Sequence, residues 1–176
     1  YEPSGDDIVI RMDPGMAFGT GSHETTSMCI ANLEKYVDKD STVFDIGCGS
    51  GILGIVAAKL GAKDVVGIDI DAVAVKVANE NILMNGVQDI MLAMEGNLAD
   101  DMDKNRKADI VVANIIADII IILAKDVKNF LKEGGIFISS GIILAKVDEV
   151  VASLEENGFE VVSVEKKGEW ACVIAR

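Results

Sequence analysis

Short β-branched runs alternate with longer helical patterns from Ser41 to the end of the chain. Buried strands of parallel sheets are nearly continuous apolar runs, whereas amphipathic helices carry an apolar residue every three or four positions. These patterns predict seven strands, at residues 42–46, 64–68, 90–94, 109–114, 135–139, 160–165 and 170–175. They predict helices at residues 52–60, 72–84, 117–131 and 144–156. The sequence therefore predicts an α/β fold.

The connections between these elements predict the layout of the sheet. A strand, a helix and a second strand form a right-handed crossover, which places helices on both faces of a mostly parallel sheet. Residues 166–169 join the last two strands without a helix, and so short a turn makes these strands antiparallel. We expect a mostly parallel sheet with an antiparallel C-terminal strand, which differs from a plain dinucleotide-binding fold.

The first 40 residues precede this alternation. Residues 8–12 are typical of a short strand, a Gly-rich loop follows at residues 13–26, and apolar positions predict an amphipathic helix at residues 23–37. We expect residues 1–40 to pack as a loop and helix on a core of residues 41–176, within one domain overall. The chain does not begin with Met, and we expect it to be part of a longer protein.

The charge balance limits the class of partner. The chain has 29 acidic and 16 basic residues, and its formal net charge is −13. Proteins that neutralise nucleic-acid phosphates concentrate Lys and Arg, so direct nucleic-acid binding is not expected. An acidic surface attracts a basic macromolecule, although solubility alone is the alternative interpretation.

The apolar segments do not indicate a membrane protein. The longest, at residues 108–124, is interrupted by Asp109, Asn114 and Asp118, which predicts a buried strand and helix rather than a membrane span. No basic segment followed by an apolar one opens the chain as an export signal. We expect a cytoplasmic protein.

The cysteines indicate neither a disulfide framework nor a metal site. Cys29, Cys48 and Cys172 are odd in number and far apart in the sequence, with no Cys/His cluster near them. Reduced, buried thiols are the simpler interpretation, and no metal is expected.

A second Gly-rich loop, directly after the first strand of the core, is the clearest candidate for a ligand site. Gly47, Gly49 and Gly51 let the backbone turn tightly and approach a ligand without a Cβ atom in the way. Ligands of open α/β sheets bind beyond the carboxyl ends of the strands, where this loop lies. Asp69 ends the next strand, and a carboxylate there accepts hydrogen bonds from the ribose hydroxyls of an adenosine-type cofactor.

The loop spacing leaves two cofactors open. Residues 49–54 match the G-x-G-x-x-G pattern formally, so an NAD-linked oxidoreductase is a real alternative. S-adenosyl-L-methionine is favoured because Asp45 places a carboxylate where its cationic amino acid portion would lie, whereas NAD would bring a pyrophosphate there. The antiparallel C-terminal strand also argues against the plain nucleotide fold.

Two segments resemble known motifs. Asp45-Ile-Gly-Cys-Gly-Ser-Gly51 resembles the first motif of seven-stranded, class I S-adenosylmethionine-dependent methyltransferases, which implies a Rossmann-like methyltransferase sheet. Asp13-Pro-Gly-Met-Ala-Phe-Gly-Thr-Gly-Ser-His-Glu-Thr-Thr26 resembles the signature of the PrmA family of bacterial ribosomal protein methyltransferases. The similarity continues at residues 67–71, 114–117, 140–142 and 168–170, and so covers nearly the whole chain.

The family resemblance implies a protein N-methyltransferase. Its substrate would be the eleventh protein of the large ribosomal subunit, methylated on lysines and on the N-terminal amine. The resemblance also implies an N-terminal substrate-recognition domain that this chain lacks.

The resemblance implies cofactor contacts at Thr26, Gly47, Asp69 and Asn114. Two further candidates follow from the loop after the first core strand, namely Asp45 and Gly49. Asn97, after the third strand, is placed to hydrogen-bond the adenine edge, and an ordinary turn residue is the alternative interpretation.

Asn114 ends the fourth strand and is the candidate for orienting the amine and the methyl group. Methyltransferases acting on amide nitrogen or adenine have Asn-Pro-Pro-Tyr or a close variant here, whereas this chain has Asn114-Ile-Ile-Ala117. This difference favours an aliphatic amine, which would attack the methyl group in line as a neutral nucleophile. His23 is a candidate general base, but capping the following helix is its favoured role.

A cofactor-binding module that is inactive without its missing domain is the remaining alternative.

Met16 and Phe18 are candidates for closing over the cofactor. Residues 100–103 are interpreted as a solvated acidic turn, with attraction of a cationic substrate as the alternative. Trp170 is interpreted as a packing residue.

Overall fold

A computed structural model describes residues 7–12, 23–97 and 105–176 of the chain. Its strands are β1 Thr42–Ile46, β2 Asp64–Asp69, β3 Met91–Glu95, β4 Ala108–Asn114, β5 Leu131–Ile143, β6 Val161–Lys167 and β7 Trp170–Ala175. Its helices are α1 Glu24–Tyr36, α2 Ile52–Lys59, α3 Ala72–Met84, α4 Ala117–Val127 and α5 Val147–Glu156. Short 3-10 turns at Lys128–Phe130 and Leu144–Lys146 precede β5 and α5.

The strands form one sheet in the order β3-β2-β1-β4-β5-β7-β6. β1 pairs in parallel with both β2 and β4, whereas β7 lies between β5 and β6 and is antiparallel to both. The predicted sheet, mostly parallel with an antiparallel C-terminal strand, is confirmed. The chain proceeds from β1 to β2 and β3, and then returns to β4 on the other side of β1. The loops after β1 and β4 therefore border the crevice where open α/β sheets bind ligands.

Alternate side chains of the strands are buried on opposite faces of this sheet. In β1, Val43 packs in a cluster with residues of α1, α2 and α3, whereas Phe44 packs in a cluster with residues of α4 and α5. Both side chains are fully buried. Burial on both faces explains why the strands are continuous apolar runs in the sequence.

The outer edge of the sheet, at β3, is covered by a side-chain amide of α3. Asn79 Nδ2 donates to the carbonyl oxygen of Ala93 at 3.0 Å, and Asn79 Oδ1 accepts from the Ala93 N–H at 3.2 Å. Both bonds satisfy backbone groups that β3 directs away from β2. The amide thus occupies the place of one residue of a further strand.

The predicted strand at residues 8–12 is absent, and this prediction is wrong. Arg11 instead forms two hydrogen bonds with the side chain of Asn85, just after α3. Its N–H donates to Asn85 Oδ1 at 2.9 Å, and its carbonyl oxygen accepts from Asn85 Nδ2 at 2.7 Å. One amide therefore satisfies the backbone groups that a neighbouring strand would have satisfied.

β5 is much longer than its predicted bounds. It starts at Leu131, where the sequence predicts the end of a helix, because α4 ends at Val127 and a 3-10 turn follows. It continues to Ile143 with a shift of register against β7 between Ser140 and Ile142. The irregularity lies at Gly141, whose φ is +84°.

Residues 7–12, 23–97 and 105–176 contain neither a membrane-spanning helix nor a metal-binding cluster. No helix in these ranges is long and apolar enough to cross a membrane. No group of His, Cys, Asp and Glu side chains there is arranged to hold a metal ion. All three cysteines are buried and free.

Candidate functional site

A cavity of about 540 Å³ opens at the carboxyl ends of β1, β2 and β4. Its volume lies within the range of roughly 300–1,000 Å³ that is typical of small-molecule sites. Six residues predicted from the sequence line it together, namely Thr26, Asp45, Gly47, Gly49, Asp69 and Asn114. We call it the first cavity.

The loop between β1 and α2 is fixed against β2. The N–H groups of Gly47 and Cys48 both donate to the carbonyl oxygen of Ile68, at 2.8 and 3.1 Å. Gly51 is the N-cap of α2 with a φ of +81°, a conformation that disfavours a side chain. A Cβ on Gly51 would also lie 3.2 Å from the Cβ of Ala78. Glycine is therefore required here by the turn and by the packing of α2 on α3.

Asp69 connects the ends of two elements around the first cavity. Its Oδ2 accepts from the N–H of Gly49 at 2.9 Å, and its Oδ1 accepts from the N–H of Asp71 at 3.0 Å. A carboxylate has about four acceptor positions, so these two bonds leave capacity for ligand hydroxyls. Asp69 thus fixes the shape of the Gly-rich loop as well as lining the cavity.

Asp45 lies beneath the same loop and is 1 % exposed. Burial, together with a smaller effect of the nearby Asp69 carboxylate, raises the pKa of its carboxyl group to about 7. The hydrogen bond from the Gly54 N–H to Asp45 Oδ2, at 2.9 Å, acts in the opposite direction. A cation in the first cavity would favour the ionised form of Asp45.

Asn114 is fixed by a contact with the first turn of α1. Its Nδ2 donates to Thr26 Oγ1 at 3.2 Å, and both residues line the first cavity. With the amide nitrogen directed at Thr26, the amide oxygen remains as the acceptor of this side chain. The structure therefore brings together the two residues that the sequence assigns to α1 and β4.

Ser140 and Gly141 support this corner, and sequence reasoning assigned no role to either. Ser140 Oγ lies 3.2 Å from the carbonyl oxygen of Thr25, which ties β5 to α1. A Cβ on Gly141 would lie 2.4 Å from the carbonyl oxygen of Ile115, the residue after Asn114. The glycine thus lets β5 approach the turn that carries Asn114. Its position in a segment shared with the resembled family was the only signal in the sequence.

His23 caps α1, as the sequence favoured. Its Nδ1 accepts from the N–H of Thr25 at 3.3 Å and lies 2.9 Å from Thr25 Oγ1. Its ring meets the ring of Trp170 edge to face, with centroids 5.2 Å apart. His23 is not among the residues that line the first cavity. The geometry therefore supports a structural role rather than a general base.

A second cavity of about 470 Å³ adjoins the first, and Asn97 lines only the second. The residues common to both linings are Gly47, Asp69, Ile70, Ile115 and Ile119. A Cβ on Gly47 would lie 2.5 Å from Ile115 Cγ2, so the glycine lets the loop after β1 pack closely against the loop after β4. Asn114 therefore lines the first cavity, Asn97 lines the second, and Asp69 borders both.

The charge of the first cavity distinguishes the two cofactors left open by the sequence. Three carboxyl groups line it, from Asp45, Asp69 and Asp71, and its described lining contains no Lys, Arg or His. The Gly54 N–H, in the first turn of α2, is already bonded to Asp45. A pyrophosphate at this helix terminus would meet carboxylates, whereas a sulfonium and an ammonium group would be attracted. The residues fit S-adenosylmethionine, and NAD is not favoured.

Several sequence predictions concern residues outside the described ranges. Met16, Phe18 and most of the signature loop fall at residues 13–22, and the acidic run falls at residues 100–103.

The whole chain, residues 1–176, matches the family model described as ribosomal protein L11 methyltransferase (PrmA). A ribosomal protein L11 methyltransferase of Alkaliphilus oremlandii (strain OhILAs) is 61% identical over 170 residues, which cover 97% of this chain and 54% of that protein. The chain thus spans about half the length of the curated relatives it matches.

Solved structures are similar over nearly the whole chain. A ribosomal protein L11 methylase from Lactobacillus delbrueckii subsp. bulgaricus has a TM-score of 0.93 at 38% identity, and the match covers 100% of this chain and 89% of that one. A precorrin-6y C5,15-methyltransferase from Geobacter metallireducens GS-15 has a TM-score of 0.72 at 17% identity, covering 90% and 91%. The second similarity shows the fold alone. The predicted Rossmann-like methyltransferase sheet is confirmed.

Proposed function

This chain belongs to the ribosomal protein L11 methyltransferase (PrmA) family, and we propose that it is the S-adenosylmethionine-dependent catalytic part of a protein N-methyltransferase. Its acceptors are lysine and N-terminal amino groups of a basic ribosomal protein of the large subunit. The observation that carries this proposal is the first cavity, which has three carboxyl groups and no basic side chain in its described lining. Such a site suits a cationic methyl donor.

The two cavities together accommodate an elongated cofactor. Asp69 accepts hydrogen bonds from the ribose hydroxyls, and Asn97 contacts the adenine at the end of the second cavity. Asp45 attracts the amino acid portion of the cofactor through the Gly-rich loop. The full set of proposed cofactor contacts is Thr26, Asp45, Gly47, Gly49, Asp69, Asn97 and Asn114.

Asn114 positions the acceptor amine. When bound, S-adenosylmethionine supplies an electrophilic sulfonium methyl group, which a neutral amine takes with release of S-adenosylhomocysteine. Lysine has an unperturbed pKa of about 10.4, so only about one side chain in a thousand is neutral near pH 7. The Asn114 amide oxygen accepts a hydrogen bond from the amine, and Ile115 and Ile116 disfavour its charged form by excluding water.

The surroundings of Asn114 suit an aliphatic amine. The two residues after it are isoleucines, and both line the first cavity. Neither offers an aromatic face on which a planar amide or base would stack. An aliphatic lysine stem fits these side chains better.

The chain covers 54% of the relative from Alkaliphilus oremlandii, and we propose that the whole protein is longer than this chain. We place a substrate-recognition domain in the remaining length, and residues 1–40 and 41–176 in one catalytic domain. The protein acts in the cytoplasm on a ribosomal protein. The net charge of −13 on this chain disfavours direct nucleic-acid binding by it.

Calorimetry with S-adenosylhomocysteine and with NAD tests the cofactor assignment. We expect S-adenosylhomocysteine to bind and NAD not to bind. Asp69→Ala should weaken this binding at least about tenfold, because hydrogen bonds to a charged group are lost. Glu95→Ala is the matched control, since Glu95 is an exposed acid beside Asp69 in the sheet and lines neither cavity. Equal affinity of Asp69→Ala and the unmodified chain would refute the ribose assignment.

A methyl-transfer assay on ribosomal protein L11 tests the reaction. It compares this chain with a longer protein that includes the remaining length of its relatives. Transfer by both supports the proposal, whereas transfer by the longer protein alone makes this chain a cofactor-binding module that depends on the missing domain. Absence of transfer by both, with the cofactor bound, contradicts the proposed substrate.

A further inference from the structure

A smaller groove of about 180 Å³ lies beside the Asn114 corner, between the start of α4, the end of β5 and the start of β7. Its walls include Ile116, Ile143 and Trp170, and its polar groups come from Asp118 and Lys146. Ile143 and Trp170 are paired across β5 and β7, so the sheet fixes one wall. We call this the lysine groove.

The lysine groove adjoins the first cavity. Ile116 lines both, and it lies two residues after Asn114. Gly141, also in the groove lining, packs against the backbone of Ile115. The groove and the first cavity therefore share a wall at Ile116.

The walls of the groove are apolar but not buried. Ile116 is 65% exposed and Ile143 is 45% exposed. A methylene chain on these side chains would remove apolar surface from water, which is favourable. A side chain with an aliphatic stem and a charged end suits such walls, because its end stays in water.

The charged groups of the groove already form the contact that such a side chain would make. Lys146 Nζ lies 3.5 Å from Asp118 Oδ1 and 2.8 Å from Glu149 Oε2. The hydrogen bond to Glu149 and the charge of Asp118 raise the pKa of Lys146, so its ammonium form is favoured. The Asp118 side chain is 69% exposed, and Lys146 keeps its nearer partner, Glu149, if a second ammonium group takes Asp118.

We propose that the lysine groove binds a lysine side chain of the protein substrate that neighbours the acceptor amine, with Asp118 as the specificity-determining residue for its ammonium group. This inference rests on the proposed function. The acceptor itself is a poor occupant, because Asp118 stabilises an ammonium whereas transfer at Asn114 requires a neutral amine. The net charge of −13 favours a basic partner over an acidic one.

Fluorescence of Trp170, the only tryptophan of the chain, reports occupancy of the groove directly. The probe is acetyl-Lys-Gly-Lys-amide, titrated at fixed pH in the presence of S-adenosylhomocysteine. We expect a saturable change that is lost when norleucine replaces both lysines. Asp118→Asn should weaken binding about two- to fivefold, as expected for one exposed ion pair. In the methyl-transfer assay it should raise KM for the protein substrate and leave kcat unchanged.

Two further variants separate this role from a merely structural one. Lys146→Met removes the competing ammonium and should tighten peptide binding, whereas a structural ion pair would make Lys146→Met and Asp118→Asn change binding in the same direction. Asp148→Asn, an exposed acid on α5 outside the groove lining, controls for net charge and should bind like the unmodified chain.

The binding and methyl-transfer assays together separate lysine binding in the groove from the proposed reaction. If calorimetry shows bound S-adenosylhomocysteine and the lysine peptide leaves the fluorescence unchanged, the groove assignment is overturned and the proposed function stands. Equal binding of the lysine and norleucine peptides also overturns it. If the fluorescence responds as expected but neither this chain nor the longer protein transfers a methyl group, the groove binds lysine and the proposed reaction is wrong.

Discussion

Asp45 is a carboxyl group enclosed by the protein and held by a backbone N–H of α2. Its environment opposes ionisation, since burial raises its pKa to about 7 while the Gly54 hydrogen bond only partly offsets this effect. In the free protein, ionisation of Asp45 is therefore unfavourable, at the site where we propose that a cation binds. Binding of that cation would stabilise the ionised carboxylate of Asp45.

Replacing Asp45 with Asn should change how stability depends on pH. In the unfolded chain this carboxyl group titrates near its ordinary value of about 3.9, below its folded pKa. Between about pH 4 and 7, the folded protein therefore binds a proton at Asp45 that the unfolded chain has released. The contribution of Asp45 to the free energy of unfolding falls by up to about 1.4 kcal/mol per pH unit as the pH rises through that window. Above the window it is constant.

Chemical denaturation of both proteins between about pH 4.5 and 8.5 measures this effect. The free energy of unfolding of the unmodified chain, minus that of Asp45→Asn, should fall up to about pH 7 and then level off. A difference that stays constant over the whole range would show that Asp45 titrates normally when folded.

Gly141→Ala should destabilise the protein more than the same replacement at a glycine that has a positive φ but open space around it. Its φ is +84° and a Cβ would meet the Ile115 carbonyl oxygen at 2.4 Å, whereas Gly61 has a φ of +102° and nothing within 4 Å. Gly61→Ala should cost about 1–2 kcal/mol from backbone conformation alone. Gly141→Ala should cost about 1–3 kcal/mol more from the collision, and should also lower methyl transfer. Equal unfolding free energies for the two variants would contradict the close approach.

At the level of elements, α1 is fastened to the sheet by polar contacts at its first turn. Thr26 bonds to Asn114 of β4, and the Thr25 carbonyl oxygen lies near Ser140 of β5. The buried face of the helix, including Met28, Cys29 and Leu33, belongs to the cluster that contains α2 and α3. A change at the start of α1 therefore reaches the Asn114 corner directly.

Variants of His23 distinguish a cap from a base. His23→Ala should lower stability by about 1 kcal/mol through loss of the cap, and should keep most of its turnover. His23→Asn should recover the stability, because Asn is among the best N-cap residues. Thermal melting and the methyl-transfer assay check this pair. If both variants lost turnover while His23→Asn melted normally, His23 would be a proton acceptor.

The sequence predicted most elements because local signals determined them. Strand and helix alternation implied the parallel sheet, and the short turn at residues 166–169 implied the antiparallel β7. The prediction of a strand at residues 8–12 is wrong because the N–H and carbonyl oxygen of Arg11 bond to the side chain of Asn85, which is 74 residues away in the sequence. Local patterns carry no information on such a contact.

In the candidate site, too, some features were predictable from local sequence and others depend on contacts between distant residues. Asp69 and Asn114 end β2 and β4, and Gly47 follows β1, so their common location was predictable from the parallel order of the strands. The roles of Ser140 and Gly141 depend on how β5 meets α1 and the turn after β4, which only the folded chain defines. The resemblance to the PrmA family is confirmed, whereas the individual cofactor contacts stay predictions.

At the level of the whole molecule, the charge of −13 should govern the encounter with a basic protein. Electrostatic attraction raises association rates and is screened by salt, since the Debye length shortens as ionic strength rises. Raising salt from about 50 mM to about 500 mM should lower kcat/KM for the ribosomal protein by roughly tenfold or more. A short acetylated peptide amide with a single lysine is the control, because its charge of one unit should make its kcat/KM far less sensitive to salt. An equal loss for both substrates would refute the electrostatic account.

The amide of Asn79 on Ala93 has a consequence for how copies of this protein meet. An open strand at the margin of a sheet is a template onto which another chain can add, and such addition begins aggregation. At β3 the middle of that template is already filled by a residue of the same molecule. This contact disfavours association of two copies through their β3 edges. Such protection matters most at high protein concentration, as in the cytoplasm that we propose as its location.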